Sequence, residues 1–216
     1  MKTGIIFDLD GTLWDSAQAV VDSWNVVIET LPDFHKQITV EDMESLMGKT
    51  MDDIAFTYFD TVEKDRALEI LQQCMDYENE YLEKVGGILY PQLEQVLADL
   101  SKDYFLAIVS NCQSGYIEAF LKYHKLEQYF DDFECFGNTK QEKDANISAV
   151  VERNGLSKAM YVGDVLGDYN STTKAGLPFI WAKYGFGDVP QAQYRIQSLA
   201  QLREVAAQVE KDLAKK

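Results

Sequence analysis

Apolar segments recur along the chain at residues 4–9, 105–109, 159–162 and 179–182, each four to six residues long and separated by helix-length stretches. Runs this short and this apolar, broken only by Asp8, read as strands buried on both faces, and strands alternating with helices build parallel βαβ units. A further short strand is expected near 133–136. Helices are expected at 91–101, at 114–124, near 143–154, around Thr172–Ala175 before Gly176, and from Ser198 towards the C-terminal lysines. The expected class is α/β, a parallel sheet covered by helices.

One stretch breaks the alternation. From Ala17 to Gly87 the pattern is helical and no strand is expected. Val20, Trp24, Val27, Ile28 and Leu31 fall at i, i+4, i+7, i+8 and i+11, one face of a helix that Pro32 helps to end. Thr39 and Thr50 each stand three residues before an acid, a start signal for short capped helices. A long helix from Thr61 places Ala67, Ile70, Leu71, Cys74, Tyr81, Leu82 and Val85 on one face and stops at Gly86-Gly87. The block interrupts the first strand–helix connection. It is therefore expected to be an inserted, all-helical cap, residues 17–87, on a core made of 1–16 and 88–216.

The first strand also carries the strongest chemical signal. Ile5-Ile6-Phe7-Asp8-Leu9-Asp10-Gly11-Thr12 delivers two carboxylates, two residues apart, into a Gly-Thr turn. In extended backbone, residues i and i+2 point the same way. Two like charges that close are costly unless a cation or a shared proton offsets them. Carboxylate oxygens suit Mg²⁺, which takes one or two protein carboxylates together with substrate phosphate oxygens. Gly11 allows a tight turn with backbone N–H groups near a bound anion. A DxD pair in an ordinary loop is often just solvated, but this one follows a run too apolar to be exposed.

Three later strand ends add candidates. Ser110-Asn111 follows the strand at 105–109, where a hydroxyl and an amide can hold phosphate oxygens, although both residues are also good helix N-caps. Lys143 opens a helix, a poor place for a cation on dipole grounds unless it reaches a bound phosphate; Lys140 is the alternative. In Gly163-Asp164-Val165-Leu166-Gly167-Asp168, Asp164 leaves a strand end and Asp168 lies one helical turn on, so both can face one ion. An acidic helix start would account for Asp168 better than for Asp164.

Composition narrows the partners. With 36 acidic and 20 basic residues in 216, the net charge is −16, which opposes nucleic acid and anionic membrane surfaces. Three cysteines without CxxC spacing favour a reduced, cytoplasmic setting. No apolar run reaches the length of a membrane span, and the N-terminal segment does not read as a signal peptide.

Phe7-Asp8-Leu9-Asp10-Gly11-Thr12-Leu13-Trp14-Asp15-Ser16 resembles the first motif of the haloacid-dehalogenase-like (HAD) hydrolases. Ser110, Lys143 and Val162-Gly163-Asp164…Asp168 match that family's remaining motifs in order. The resemblance implies a Rossmann-like core with a helical (C1-type) cap, and phosphoryl transfer through an aspartyl-phosphate. It implies Asp8 as nucleophile and Asp10 as acid and base. Ser110, Asn111 and Lys143 would hold phosphate, and Asp8, Asp10 (by its backbone carbonyl), Asp164 and Asp168 would make up a Mg²⁺ site. Trp14 and Lys49 are the cap-side candidates for contacting the leaving group.

The expected substrate is a small phosphorylated metabolite, phosphoglycolate-like or a sugar phosphate, and the expected assembly a monomer or homodimer. Dehalogenases lack the second acid and phosphonatases replace it, using a cap lysine; Asp10 argues against both. A β-phosphoglucomutase-like mutase keeps both acids, and Thr12 leans only modestly towards phosphatases. Lys143-Asp144 departs from the Lys-Pro common in phosphoglycolate phosphatases. A catalytically quiet HAD-like binding or regulatory protein is the alternative of another class.

Overall fold

The structure is a computed structural model and describes residues 3–215. Strand β1 (Gly4–Phe7) runs at the centre of a six-stranded sheet. The chain then makes β2 (Trp14–Asp15) and four helices, α1 (Ala17–Ile28), α2 (Val40–Leu46), α3 (Met51–Tyr58) and α4 (Lys64–Val85). It returns through β3 (Ile88–Leu89) and α5 (Leu93–Leu100) to β4 (Phe105–Ser110), α6 (Tyr116–His124) and β5 (Asp132–Cys135). Next come α7 (Phe136–Thr139), α8 (Lys143–Arg153), β6 (Ala159–Gly163), α9 (Leu166–Lys174) and β7 (Phe179–Ala182). Strand β8 (Tyr194–Ile196) and helix α10 (Leu202–Leu213) complete the chain.

The sheet order is β5-β4-β1-β6-β7-β8, and every pairing in it is parallel. All four residues of β1 are buried, as a central strand covered on both faces demands. Its neighbours β4 and β6 end beside it, with Phe7 opposite Ile108 on one side and Val162 on the other. Asp8 and Asp164, just past these ends, and Ser110, the last residue of β4, therefore meet at the C-terminal ends of the strands, the usual ligand position in open α/β folds.

Two features depart from the expectation. The connections flanking the helical segment pair as an antiparallel ribbon, Trp14 with Leu89 and Asp15 with Ile88, although no strand was expected between Trp14 and Gly87 and none at 88–89. Two residues are too few to show an alternation, so the sequence carries no sign of it. Strand β8 was also not expected: its three residues follow a polar stretch punctuated by Gly185, Gly187 and Pro190. The long helix starts at Lys64 rather than Thr61 and ends as expected at Gly86, whose φ of +67° suits glycine.

Both threonine caps form. Thr39 Oγ1 accepts from the Asp42 N–H at 3.1 Å while Asp42 Oδ2 accepts from the Thr39 N–H at 3.1 Å; Thr50 accepts from the Asp53 N–H. Replacing Thr39 by Ala removes one half of that reciprocal pair. The expected loss is about 1 kcal/mol, read as a lower urea midpoint. An unchanged midpoint would show that α2 is held by its buried Met43 and Leu46 alone.

Candidate active site

Asp8 follows β1 directly and is 3% exposed. Lys143, the first residue of α8, is equally buried and reaches back so that its Nζ donates to Asp8 Oδ1 at 2.8 Å and to Asp168 Oδ1 at 2.6 Å. Burial pushes the Asp8 carboxyl up to about 7, with Asp168 adding to the rise and Lys143 opposing it. Burial alone would weaken the Lys143 ammonium, but the carboxylates of Asp168 and Asp8 outweigh it and hold the amine firmly protonated. Lys140 sits elsewhere, 5.3 Å above the Phe136 ring.

Asp164 leaves the end of β6 fully buried. Its Oδ2 accepts from the Phe186 N–H at 2.7 Å, and Thr12 Oγ1 donates to Oδ1 at 3.4 Å. Burial raises its pKa well above the usual carboxylate range, with Asp168 and Asp8 adding to the rise. Asp168 is committed on both oxygens: Oδ1 to Lys143, and Oδ2 to the N–H groups of Asp164 and Val165 at 3.1 and 3.2 Å. It thus acts as the helix-start acid and as the partner of Lys143 at once.

Asp8, Asp164 and Asp168 each place an oxygen within 4.8 Å of the others. Ionising all three buried carboxylates against one ammonium would leave an excess of two negative charges, which a low-dielectric interior penalises heavily, and the upward shifts of Asp8 and Asp164 express that penalty. The donor set is oxygen only, which fits a hard divalent cation. Backbone packing keeps the space tight. A Cβ on Gly11 (φ +76°) would lie 2.2 Å from Asp164 Oδ2, and one on Gly163 would lie 2.6 Å from Asp168 Oδ2.

Asp10 is held differently. Its Oδ1 accepts from Ser16 Oγ (2.5 Å), Tyr116 OH (2.8 Å) and Trp14 Nε1 (2.9 Å), while Oδ2 takes no hydrogen bond from the described residues. Burial raises its pKa, and those three donors only partly offset the rise. The Trp14 ring is fully buried against Tyr116, Phe120 and His124. Trp14 was expected to touch a leaving group; the structure corrects this, since the ring lies behind Asp10 and its indole N–H fixes that carboxylate.

A narrow cleft opens over these groups, lined by Asp8, Asp10, Ser110, Asn111 and Tyr116 from the sheet side and by Val20, Trp24, Met43, Lys49, Met51, Ile54 and Glu78 from the helical segment. Its cavity volume is about 40 Å³, room for only a few waters, so the helices sit close over the strand ends. Asn111 Nδ2 donates to the Gly48 carbonyl at 2.9 Å, tying the strand end to the loop that bears the exposed Lys49. Ser110 is buried in the cleft wall.

Sequence reading missed Tyr116, Phe186, Glu78 and Gln113. Only Phe186 had a local signal. The Gly185-Phe186-Gly187 loop brings an N–H to Asp164, and a Cβ on Gly185 would lie 2.3 Å from the Gly11 carbonyl.

Comparison with known proteins gives the chain's relatives. A phosphoglycolate phosphatase of Aliivibrio fischeri is 26% identical over 84% of this chain and 84% of its own length. One from Agrobacterium fabrum is 27% identical over 87% and 83%. A crystal structure from Haemophilus somnus, described as a predicted phosphoglycolate phosphatase, superposes with a TM-score of 0.82 at 21% identity, covering 95% of this chain and 98% of that one. The profile of the haloacid dehalogenase-like hydrolases matches residues 5–182, and the chain belongs to that family.

Proposed function

We propose that the protein is a Mg²⁺-dependent phosphatase of small phosphate monoesters that works through an aspartyl-phosphate on Asp8. The carrying observation is the pairing of Asp8, held by Lys143, with Asp10, pinned by three donors on one oxygen, in a single cleft. The names of the two relatives described above, both phosphoglycolate phosphatases, support the same reading. Asp8 and Asp164, with the Asp10 carbonyl, would hold the metal. When bound, the cation neutralises carboxylate and phosphate charge and orients the phosphoryl group for in-line attack.

An oxygen of Asp8 attacks phosphorus and the ester oxygen leaves as Asp10 Oδ2 hands it a proton. Pinning Oδ1 through Trp14, Ser16 and Tyr116 leaves Oδ2 as the oxygen that moves protons. Asp10 then takes a proton from the water that attacks the acyl phosphate. Phosphate departs and the Asp8 carboxylate is restored. Lys143 and Ser110 meet the remaining phosphoryl oxygens, and Asp168 keeps Lys143 charged and aimed.

The segment 17–87 serves as a cap over a core of 1–16 and 88–216. The Trp14–Leu89 ribbon carries it, and its closure excludes water from the cleft. The acidic surface and the absence of any membrane-crossing helix among the described residues fit a small-metabolite enzyme, for which we propose the cytoplasm.

The test is hydrolysis of p-nitrophenyl phosphate and a panel of phosphate monoesters with Mg²⁺ and after chelation. Phosphate release that stops on chelation and returns with Mg²⁺ is expected. No release in any arm would favour the non-catalytic alternative, and intramolecular transfer without release would favour a mutase.

A further inference from the structure

The cap side of the cleft is apolar, through Val20, Trp24, Met43, Met51 and Ile54, apart from Lys49 at its exposed rim and one carboxylate inside it, Glu78 of α4. Glu78 is 3% exposed. Trp24 Nε1 donates to its Oε2, and Gln113 Nε2 donates to its Oε1 at 3.0 Å. A carboxylate offers about four acceptor positions, so these two donors leave acceptor capacity unmet, and no cation among the described residues pairs with it. Burial pushes Glu78 up to about 7 against the opposing hydrogen bonds from Trp24 and Gln113, and the nearby charge of Asp10 adds to the rise.

A second acceptor in the same cleft has no donor at all among the described residues. Asn111 Oδ1 is buried without a hydrogen-bond partner among the described residues, its amide nitrogen being directed at Gly48. Buried acceptors left unpaired are costly unless a ligand supplies the missing N–H or O–H.

The geometry points to Glu78, assisted by Asn111 Oδ1, as the group that selects the leaving part of the substrate, favouring one that carries a hydroxyl or ammonium donor and rejecting one that carries a carboxylate. This rests on the phosphatase reading above and narrows its substrate class. A phosphorylated polyol or amino alcohol supplies the donor. The leaving group of 2-phosphoglycolate instead brings a second negative charge towards Glu78, and above about pH 7, where Glu78 is ionised, the two repel in a cleft with little water to screen them. Selection here works by repulsion as much as by attraction.

The experiment compares kcat/KM for glycerol 3-phosphate, phosphoethanolamine, 2-phosphoglycolate and p-nitrophenyl phosphate in the wild type and in Glu78→Gln. The wild type is expected to favour a donor-bearing ester over 2-phosphoglycolate by about tenfold or more, and Glu78→Gln to shrink that ratio by a similar factor. The larger loss in the variant identifies the donor: phosphoethanolamine if ammonium, glycerol 3-phosphate if hydroxyl. A fall by one common factor for all four esters would reduce Glu78 to a structural clamp and overturn the proposal. So would a wild-type preference for 2-phosphoglycolate, which needs no variant to fold. Calorimetric binding of the same esters to Asp8→Asn reads the selectivity without turnover. Failure of the wild type to hydrolyse any ester would sink the phosphatase reading, and the binding ratios would still decide the role of Glu78.

Discussion

Asp8→Asn is expected to reduce turnover by about a thousandfold or more, the usual scale for removing a catalytic nucleophile, while leaving the fold intact. An amide oxygen does not attack phosphorus, but it can still accept the Lys143 hydrogen bond that Asp8 Oδ1 accepts at 2.8 Å. The substitution also removes one ionisable carboxyl from a buried cluster whose carboxylates repel one another. The melting temperature in metal-free buffer should therefore hold or rise. Activity near the wild-type level, in protein shown by mass spectrometry to be free of deamidation, would remove Asp8 from the nucleophile role. Lost activity accompanied by a large fall in melting temperature would mean that the carboxylate is structural.

The second large effect separates Asp164, at the strand end, from Asp168, one helical turn further on. Asp168 spends Oδ1 on Lys143 and Oδ2 on two backbone N–H groups, whereas Asp164 has only the long contact from Thr12 on its Oδ1. Asp164→Ala is expected to weaken Mg²⁺ binding, measured by calorimetry, by about tenfold or more. Asp168→Ala should weaken it less but cost about 3 kcal/mol of stability, because it strips partners from a buried ammonium, from the buried Asp164 N–H and from the half-buried Val165 N–H. Equal losses of metal affinity would overturn this division. An unchanged urea midpoint in Asp168→Ala would show that Asp8 alone satisfies Lys143.

Much of the molecule is legible in the amino-acid sequence because its signals are local. Short apolar runs mark the strands β1, β4, β6 and β7, and the threonines at 39 and 50 mark helix starts that do form. The site acids can be read because each follows a strand, and parallel strands side by side must end side by side. The ribbon of β2 and β3 and the edge strand β8 are not legible, since two or three residues carry no measurable period.

Trp14 shows the limit most clearly. A tryptophan near a cap suggests a surface for a leaving group. Its actual function as a donor to Asp10 depends on Tyr116, Phe120 and His124, more than a hundred residues away, walling it in. Glu78 is the converse case. On the sequence it is one acid among many along a long helix, and nothing local distinguishes it from its solvated neighbours.

The sequence by itself determined the class of fold, the order of its elements and the identity of the groups at the strand ends. Period, caps and turn residues act over a few positions, and parallel pairing then carries them to one edge. Only the tertiary structure decided how those groups divide their work: which oxygen of Asp10 is pinned, which acid Lys143 consumes, and which carboxylate faces the cleft from the cap. Those outcomes depend on burial and on partners distant in the chain, and the same carboxylate is a solvated charge, a helix cap or a buried acceptor according to what packs around it.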